Sequence, residues 1–167
     1  PEALKAAIKL EAPLNIRNTA TIAGTLVSSD GRSTFTTMIL AMDAKLTINN
    51  PASTTIGLSE FLLTHPKGLI TSITVPLNIK LAFEFVSRTP TDKPIIAAAL
   101  SQWNSGRTRL TLGGYGKNPM LAMDGTEADG LETAASNAYH EANDEWASAE
   151  YRMDVAATLA KRCLEKI

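Results

Sequence analysis

The chain has 167 residues, a net charge of −1, 44 % hydrophobic residues and 20 % charged ones. That balance suits one globular domain or two small ones, and it excludes the basic footprint expected of a nucleic-acid or anionic-membrane binder. No apolar run approaches the roughly 20 residues of a membrane span, no secretory leader is visible, and the single cysteine, Cys163, excludes an internal disulfide and a cysteine-based metal site, so a cytoplasmic location is the default expectation.

Pro1 to Leu10 is the first helix candidate. Proline suits the first helical position, Glu2 favours the positive end of the dipole, and Leu4, Ala7 and Ile8 share a face. Asn15 to Ser28 is expected to be strand and loop, because Thr19, Thr21, Thr25 and Val27 are β-branched. The run breaks at Gly24 and reaches a turn at Asp30-Gly31. Ser33 is the expected N-cap of a helix from Thr34 to Ala44, with Phe35, Met38, Ile39 and Met42 as its core stripe. Lys45 to Ile48 forms a strand, Thr54 to Leu63 a strand fragment running into a helical turn, and Leu69 to Val75 a strand stopped by Pro76. The expected boundary lies at Leu77 to Lys80, dividing the chain into residues 1–78 and 79–167.

The second half opens with the alternating strand Leu81 to Val86. The apolar strand Pro94 to Trp103 follows, then a hairpin turn at Asn104-Ser105-Gly106 and a partner strand from Arg107 to Leu112. Arg107 and Arg109 fall on one face and are expected to be strand-surface charges. Two helices close the chain. The first runs from Glu127 to Asn143 with an alanine-rich stripe; the second is capped by Ser148 and repeats Tyr151, Val155, Leu159 and Cys163 at a spacing of four.

Chemistry concentrates in Asn15 to Asp30. Backbone N–H groups at a glycine-bearing junction can point outward together, and small side chains let an anionic ligand approach them. No other constellation competes. His65 and His140 lie far apart among polar residues, the acidic cluster Glu141, Asp144 and Glu145 lacks calcium-loop spacing, and Ser28, Ser29 and Ser33 lack a G-x-S-x-G frame. No catalytic and no metal-ligating residue is assigned.

The run Ile16-Arg17-Asn18-Thr19-Ala20-Thr21-Ile22-Ala23-Gly24-Thr25, followed by a helix ending Leu40-Ala41-Met42-Asp43-Ala44, resembles the second flavin-binding segment of the FAD subunit of molybdenum hydroxylases. That family includes the medium subunit of aerobic carbon monoxide dehydrogenase and the FAD domain of xanthine dehydrogenase. The second half resembles the C-terminal domain of the same subunits through Phe85-Val86-Ser87-Arg88 with Asp92, Arg109-Leu110-Thr111-Leu112-Gly113-Gly114-Tyr115-Gly116, and Ser148-Ala149-Glu150-Tyr151-Arg152. The resemblance runs from about Ala12 to Leu164. It implies an α+β fold: a small mixed α/β flavin-binding subdomain, then an antiparallel sheet with helices packed on one face.

The resemblance also implies function. The loop Thr21, Ile22, Ala23, Gly24 and Thr25 would hold FAD, with Asp30 or Thr34 near the ribose and Ile70 bordering the flavin. The family pattern has glycine where Ala23 stands and asparagine where Thr25 stands. The glycine-rich loop of the family's N-terminal subdomain has no counterpart in this sequence, so FAD binding is expected to need that segment as a partner. The molybdenum cofactor and 2Fe-2S clusters are expected in partner subunits, a molybdenum-binding large subunit and an iron–sulfur small one. The implied role is electron transfer from the clusters through FAD to an acceptor; the alternative is a scaffold or interaction module of the same fold that has left FAD behind.

Overall fold

The computed structural model describes residues 1–167. Helices α1 (Glu2–Glu11), α2 (Leu14–Thr19), α3 (Ile22–Ser28) and α4 (Thr34–Ala41) lead into the three-stranded sheet of β1 (Lys45–Asn49), β2 (Ser53–Gly57) and β3 (Leu69–Thr74), with α5 (Leu58–Thr64) between β2 and β3. This sheet is antiparallel in the order β2-β1-β3. A four-stranded antiparallel meander follows, β4 (Lys80–Val86), β5 (Ile96–Gln102), β6 (Thr108–Gly113) and β7 (Met120–Gly125), in sequence order. Helices α6 (Leu131–Ala138) and α7 (Ala149–Glu165) complete the chain. The α+β architecture is the expected one. No helix is long and apolar enough to cross a membrane.

The meander is buried on both faces. Ile96, Ala98, Leu100, Leu110 and Leu112 pack under α6 and α7, while Ala97, Ala99 and Phe83 join the core built by α4, β1 and α5. Strand β5 therefore reads as a continuous apolar run instead of an alternating one. Helix α4 is buried along seven of its eight residues, which is why its sequence lacks a polar stripe. Ser33 caps it as expected, its Oγ accepting from the Thr36 amide at 3.1 Å. Glu11 reaches the same helix start from α1, accepting from the Phe35 amide at 2.8 Å and from Ser33 Oγ at 2.9 Å. A carboxylate there is favoured by the helix dipole.

Asn15 to Ser28 corrects the sequence reading: it is two short helices, not strand and loop. Its hydroxyls, counted as strand formers, serve helical roles. Thr21 Oγ1 caps α3 by accepting from the Gly24 amide at 3.0 Å. Thr19, Thr25 and Ser28 donate back to carbonyls of the preceding turn. The helix expected over Glu127 to Asn143 contracts to Leu131–Ala138, because Gly130 sits at φ 77 and breaks the helical path. Strand β7 carries only a weak alternation and went unpredicted. On α7 the buried face is Arg152, Ala156, Leu159, Ala160 and Cys163, and Tyr151 stays exposed.

Arg109 is not a surface charge but 4 % exposed. It donates to the Leu40 carbonyl at the end of α4 (3.1 Å), to Asp124 (2.6 Å) and to Ser59 Oγ (3.1 Å), and pairs with Asp43 at 3.1 Å. Arg107 bridges Asp43 and Asp124 from the same face. Its two hydrogen bonds to Asp124 are the main reason that carboxyl is held below the usual range. The two halves of the chain are thus tied by ion pairs as well as by a shared core.

A second tie lies at the opposite end of β6. The Gly31 amide donates to the Gly116 carbonyl at 3.1 Å, and the Gly114 amide donates to the Gly31 carbonyl at 2.7 Å. A Cβ on Gly31 would stand 1.9 Å from the Tyr115 carbonyl oxygen, and one on Gly114, at φ 118, would stand 2.0 Å from the Ile95 carbonyl oxygen. Arg152, fully buried, donates through Nη1 to the carbonyls of Ile95 and Gly114 and through Nη2 to both Asp144 oxygens at 2.8 and 2.7 Å. The glycine-rich turn of the second half is therefore a backbone junction clamped by an arginine.

Candidate functional site

An open groove of about 630 Å³ lies between the end of α1, helices α2 and α3, and the loop after β4. Lys9, Glu11, Arg17, Thr21, Gly24, Thr25, Ser28 and Lys93 are among its walls. Three cations thus face the groove against one carboxylate, and Glu11 is turned to the start of α4. Arg17 is positioned by its Nε, which donates to the Ala12 carbonyl at 2.9 Å. The first backbone amides of α3, from Ile22 and Ala23, lie at the open end of that helix, where no intrahelical acceptor exists. Gly24 is required by the cap: a Cβ there would approach Thr21 Oγ1 to 2.9 Å. The combination of cations and small side chains suits an anionic ligand of cofactor size.

The residues named from sequence divide. Thr21, Gly24 and Thr25 line the groove, and Ile22 lines a smaller cavity of about 140 Å³ that shares Arg17, Thr21 and Thr25 with it. Ala23 is half-buried on α3 and lines neither. Asp30 is exposed beyond the groove, 3.5 Å from Lys93 Nζ and accepting from the Arg32 amide at 2.9 Å. Thr34 is buried under α1, where its hydroxyl donates to the Ala7 carbonyl at 2.7 Å. Ile70 is half-buried on β3 and packs against the core. Neither Asp30, Thr34 nor Ile70 lines the groove.

Sequence reasoning missed Lys9, Arg17 and Lys93. Arg17 stood inside the motif quoted for the resemblance but received no role. Lys9 and Lys93 are separated by the whole of the first sheet, and no spacing signal connects them.

Residues 2–78 match the family model described as the FAD binding domain in molybdopterin dehydrogenase. Over that stretch the chain is similar to the FAD-binding domains of molybdenum hydroxylases. It is 29 % identical, over 90 % of its length and 60 % of the other's, to the alpha subunit of the 6-hydroxypseudooxynicotine dehydrogenase complex of Paenarthrobacter nicotinovorans. Two solved structures share its fold. Quinoline 2-oxidoreductase from Pseudomonas putida 86 aligns with a TM-score of 0.76 at 18 % identity, over 96 % of this chain and 65 % of that one. Carbon monoxide dehydrogenase from Hydrogenophaga pseudoflava aligns with a TM-score of 0.75 at 21 % identity, over 95 % of this chain and 64 % of that one. The chain thus spans somewhat less than two thirds of the length of these relatives.

The groove residues fit the anionic part of FAD. Lys9, Arg17 and Lys93 supply charge, and Thr21, Gly24, Thr25 and Ser28 keep the facing wall small. The hydroxyl of Ser28 is already donated to the Gly24 carbonyl at 2.9 Å, so it serves the helix first.

Proposed function

We propose that this chain forms part of the FAD-binding, electron-transferring subunit of a molybdenum hydroxylase. The observation that carries the reading is the coincidence of two facts: residues 2–78 match the family's FAD-binding domain, and Thr21, Gly24 and Thr25 of that stretch line a groove whose charged walls are mainly cationic. Bound FAD would supply reversible electron transfer, and the protein would bind and orient it. The roles of the chain's own residues follow from their positions. Lys9, Arg17 and Lys93 would neutralise the pyrophosphate, and Thr21, Gly24 and Thr25 would keep the groove wall small and open to it. Asp30 and Ile70 would contact the cofactor only if a further segment brought it across to them, and Thr34, buried under α1, would support the helix start instead.

In this reading residues 1–78 are the flavin-binding subdomain and residues 79–167 the C-terminal domain. The cofactor is shared with a glycine-rich N-terminal FAD segment, and the assembly docks in the cytoplasm onto an iron–sulfur subunit and a molybdenum-binding subunit. The relative from P. nicotinovorans, a subunit of a dehydrogenase complex, supports a multi-subunit setting.

The test is a visible absorbance spectrum after soaking the chain in FAD and desalting, alone and with the N-terminal FAD segment of a relative supplied. A retained flavin band in either case, weakened about tenfold or more in affinity by Lys9→Glu, is the expected result. A folded chain that retains no flavin in both cases overturns the proposal and leaves the scaffold reading.

A further inference from the structure

A second cavity, of about 390 Å³, lies beside the flavin groove and is lined by Arg32, Arg88, Asp92, Lys93, Ile95 and Trp146. Its walls hold three cations and one carboxylate, and Lys93 is shared with the groove. Trp146 is fixed by its backbone, which donates to Asp144 Oδ1 at 2.9 Å; the same carboxylate receives the buried Arg152. Both arginines stack on the indole, with the guanidinium carbons of Arg32 and Arg88 at 4.6 and 4.4 Å from the ring centroid. Arg32 is held further by donating Nε to the Pro94 carbonyl (3.1 Å) and Nη2 to the Lys93 carbonyl (2.7 Å). Its Nη1 is left over, and Arg88 forms no ion pair with Asp92. Two guanidinium groups are thus gathered on one ring at a cost in mutual repulsion, with no protein carboxylate neutralising them.

The Arg88 guanidinium donates to no protein acceptor, and Arg32 keeps its Nη1 free. Such N–H groups match the oxygens of a phosphate, which can accept two parallel bonds from Arg88 and a further one from Arg32. With both arginines over its ring, Trp146 is a support for them. We propose that this pocket binds a phosphate group, free or carried by a nucleotide, through Arg88 and Arg32. Asp30, 3.5 Å from Lys93, reduces the contribution of Lys93 and leaves the two arginines as the principal ligands. The proposal does not depend on flavin binding, because neither arginine lines the flavin groove.

Trp146 is the natural reporter. In a Trp103→Phe background it is the sole tryptophan. Inorganic phosphate, titrated against chloride at constant ionic strength and without FAD, should change its fluorescence saturably, and calorimetry should give the same affinity. Arg88→Gln should weaken binding about tenfold, Arg88→Lys should recover part of the loss, and Lys9→Glu in the flavin groove should leave it unchanged. Adenosine monophosphate binding more tightly than inorganic phosphate would assign the site to a nucleotide, and equal affinity would assign it to free phosphate. Absence of saturation, unchanged calorimetric affinity in Arg88→Gln, or loss of binding in Lys9→Glu alone would each overturn the assignment. None of these outcomes bears on whether FAD is retained in the separate soak.

Discussion

Asp144→Asn isolates the charge of the clamp at the glycine-rich turn. The asparagine oxygen can still accept from the Trp146 and Ala147 amides, which Asp144 Oδ1 receives at 2.9 and 3.0 Å, and shape is nearly unchanged. What disappears is the counter-charge of Arg152, a guanidinium with no exposed surface whose partner is only 25 % exposed. Removing one member of a buried pair costs about 3–5 kcal/mol, since the remaining charge stays desolvated. The lower end applies here, because the carbonyls of Ile95 and Gly114 still receive Nη1 and the faces of Tyr115 and Tyr139 lie 5.3 and 6.0 Å from the guanidinium carbon. With a urea slope of about 1–3 kcal/mol per molar, a 3 kcal/mol loss lowers the midpoint by roughly 1–3 M. The pH dependence adds a second signature. Burial alone would raise the Asp144 carboxyl, but the Arg152 and backbone hydrogen bonds outweigh it and hold the group below its ordinary value of 3.8. A depressed carboxylate contributes stability that is present above the unfolded pKa and lost as pH falls through the lower folded value. Wild type should therefore lose this contribution only in the acid range below about 4, while Asp144→Asn should lack that segment of its stability curve. A midpoint within about 0.3 M of wild type at neutral pH would refute the clamp.

Gly31→Ala should lower the melting temperature by roughly 5–10 °C, because its Cβ would meet the Tyr115 carbonyl at 1.9 Å and the junction must open. Gly57→Ala, whose Cβ would meet nothing within 4 Å, is the matched control and should melt within about 2 °C of wild type by calorimetry. Burial pushes the Cys163 thiol up to about 12, so a disulfide reagent at pH 8 should modify it only at the rate of unfolding. Fast labelling of the native chain would show that the α7–β5 packing opens locally.

The legible parts of the fold were those with a local signal: a cap, an apolar or alternating run, or a turn. The caps at Ser33 and Ser148, the first-sheet strands and β4 to β6 follow from periodicity and turn chemistry alone. Ser33 succeeds because its hydroxyl meets only one candidate helix. Thr21 fails because the same β-branched residue that suits a strand also caps a helix, and nothing local decides between them until Gly24 is seen as the amide that the hydroxyl receives. Arg109 looked like a strand charge because its partners, Leu40, Ser59, Asp43 and Asp124, are scattered along the chain. The site shows the same division. Thr21, Gly24 and Thr25 are contiguous and were named; Lys9 and Lys93 meet only in three dimensions.

These long-range partners also explain how so small a chain can hold an open groove. Helices α2 and α3 bury almost nothing of their own, with Leu26 their one buried residue. Such elements cannot set the distance between Lys9 and Lys93. That distance is set indirectly, since α1 is fixed on α4 by Glu11, and the Lys93 loop is fixed by Arg32 at one side and by the Arg152 contact to Ile95 at the other. The backbone bonds of Gly31 to Gly114 and Gly116 join the two supports. The motif glycines and arginine of the second half, which touch no groove atom, therefore act on ligand binding through rigidity. Weakening the clamp should loosen the groove before it unfolds the chain, since low-stability segments open first.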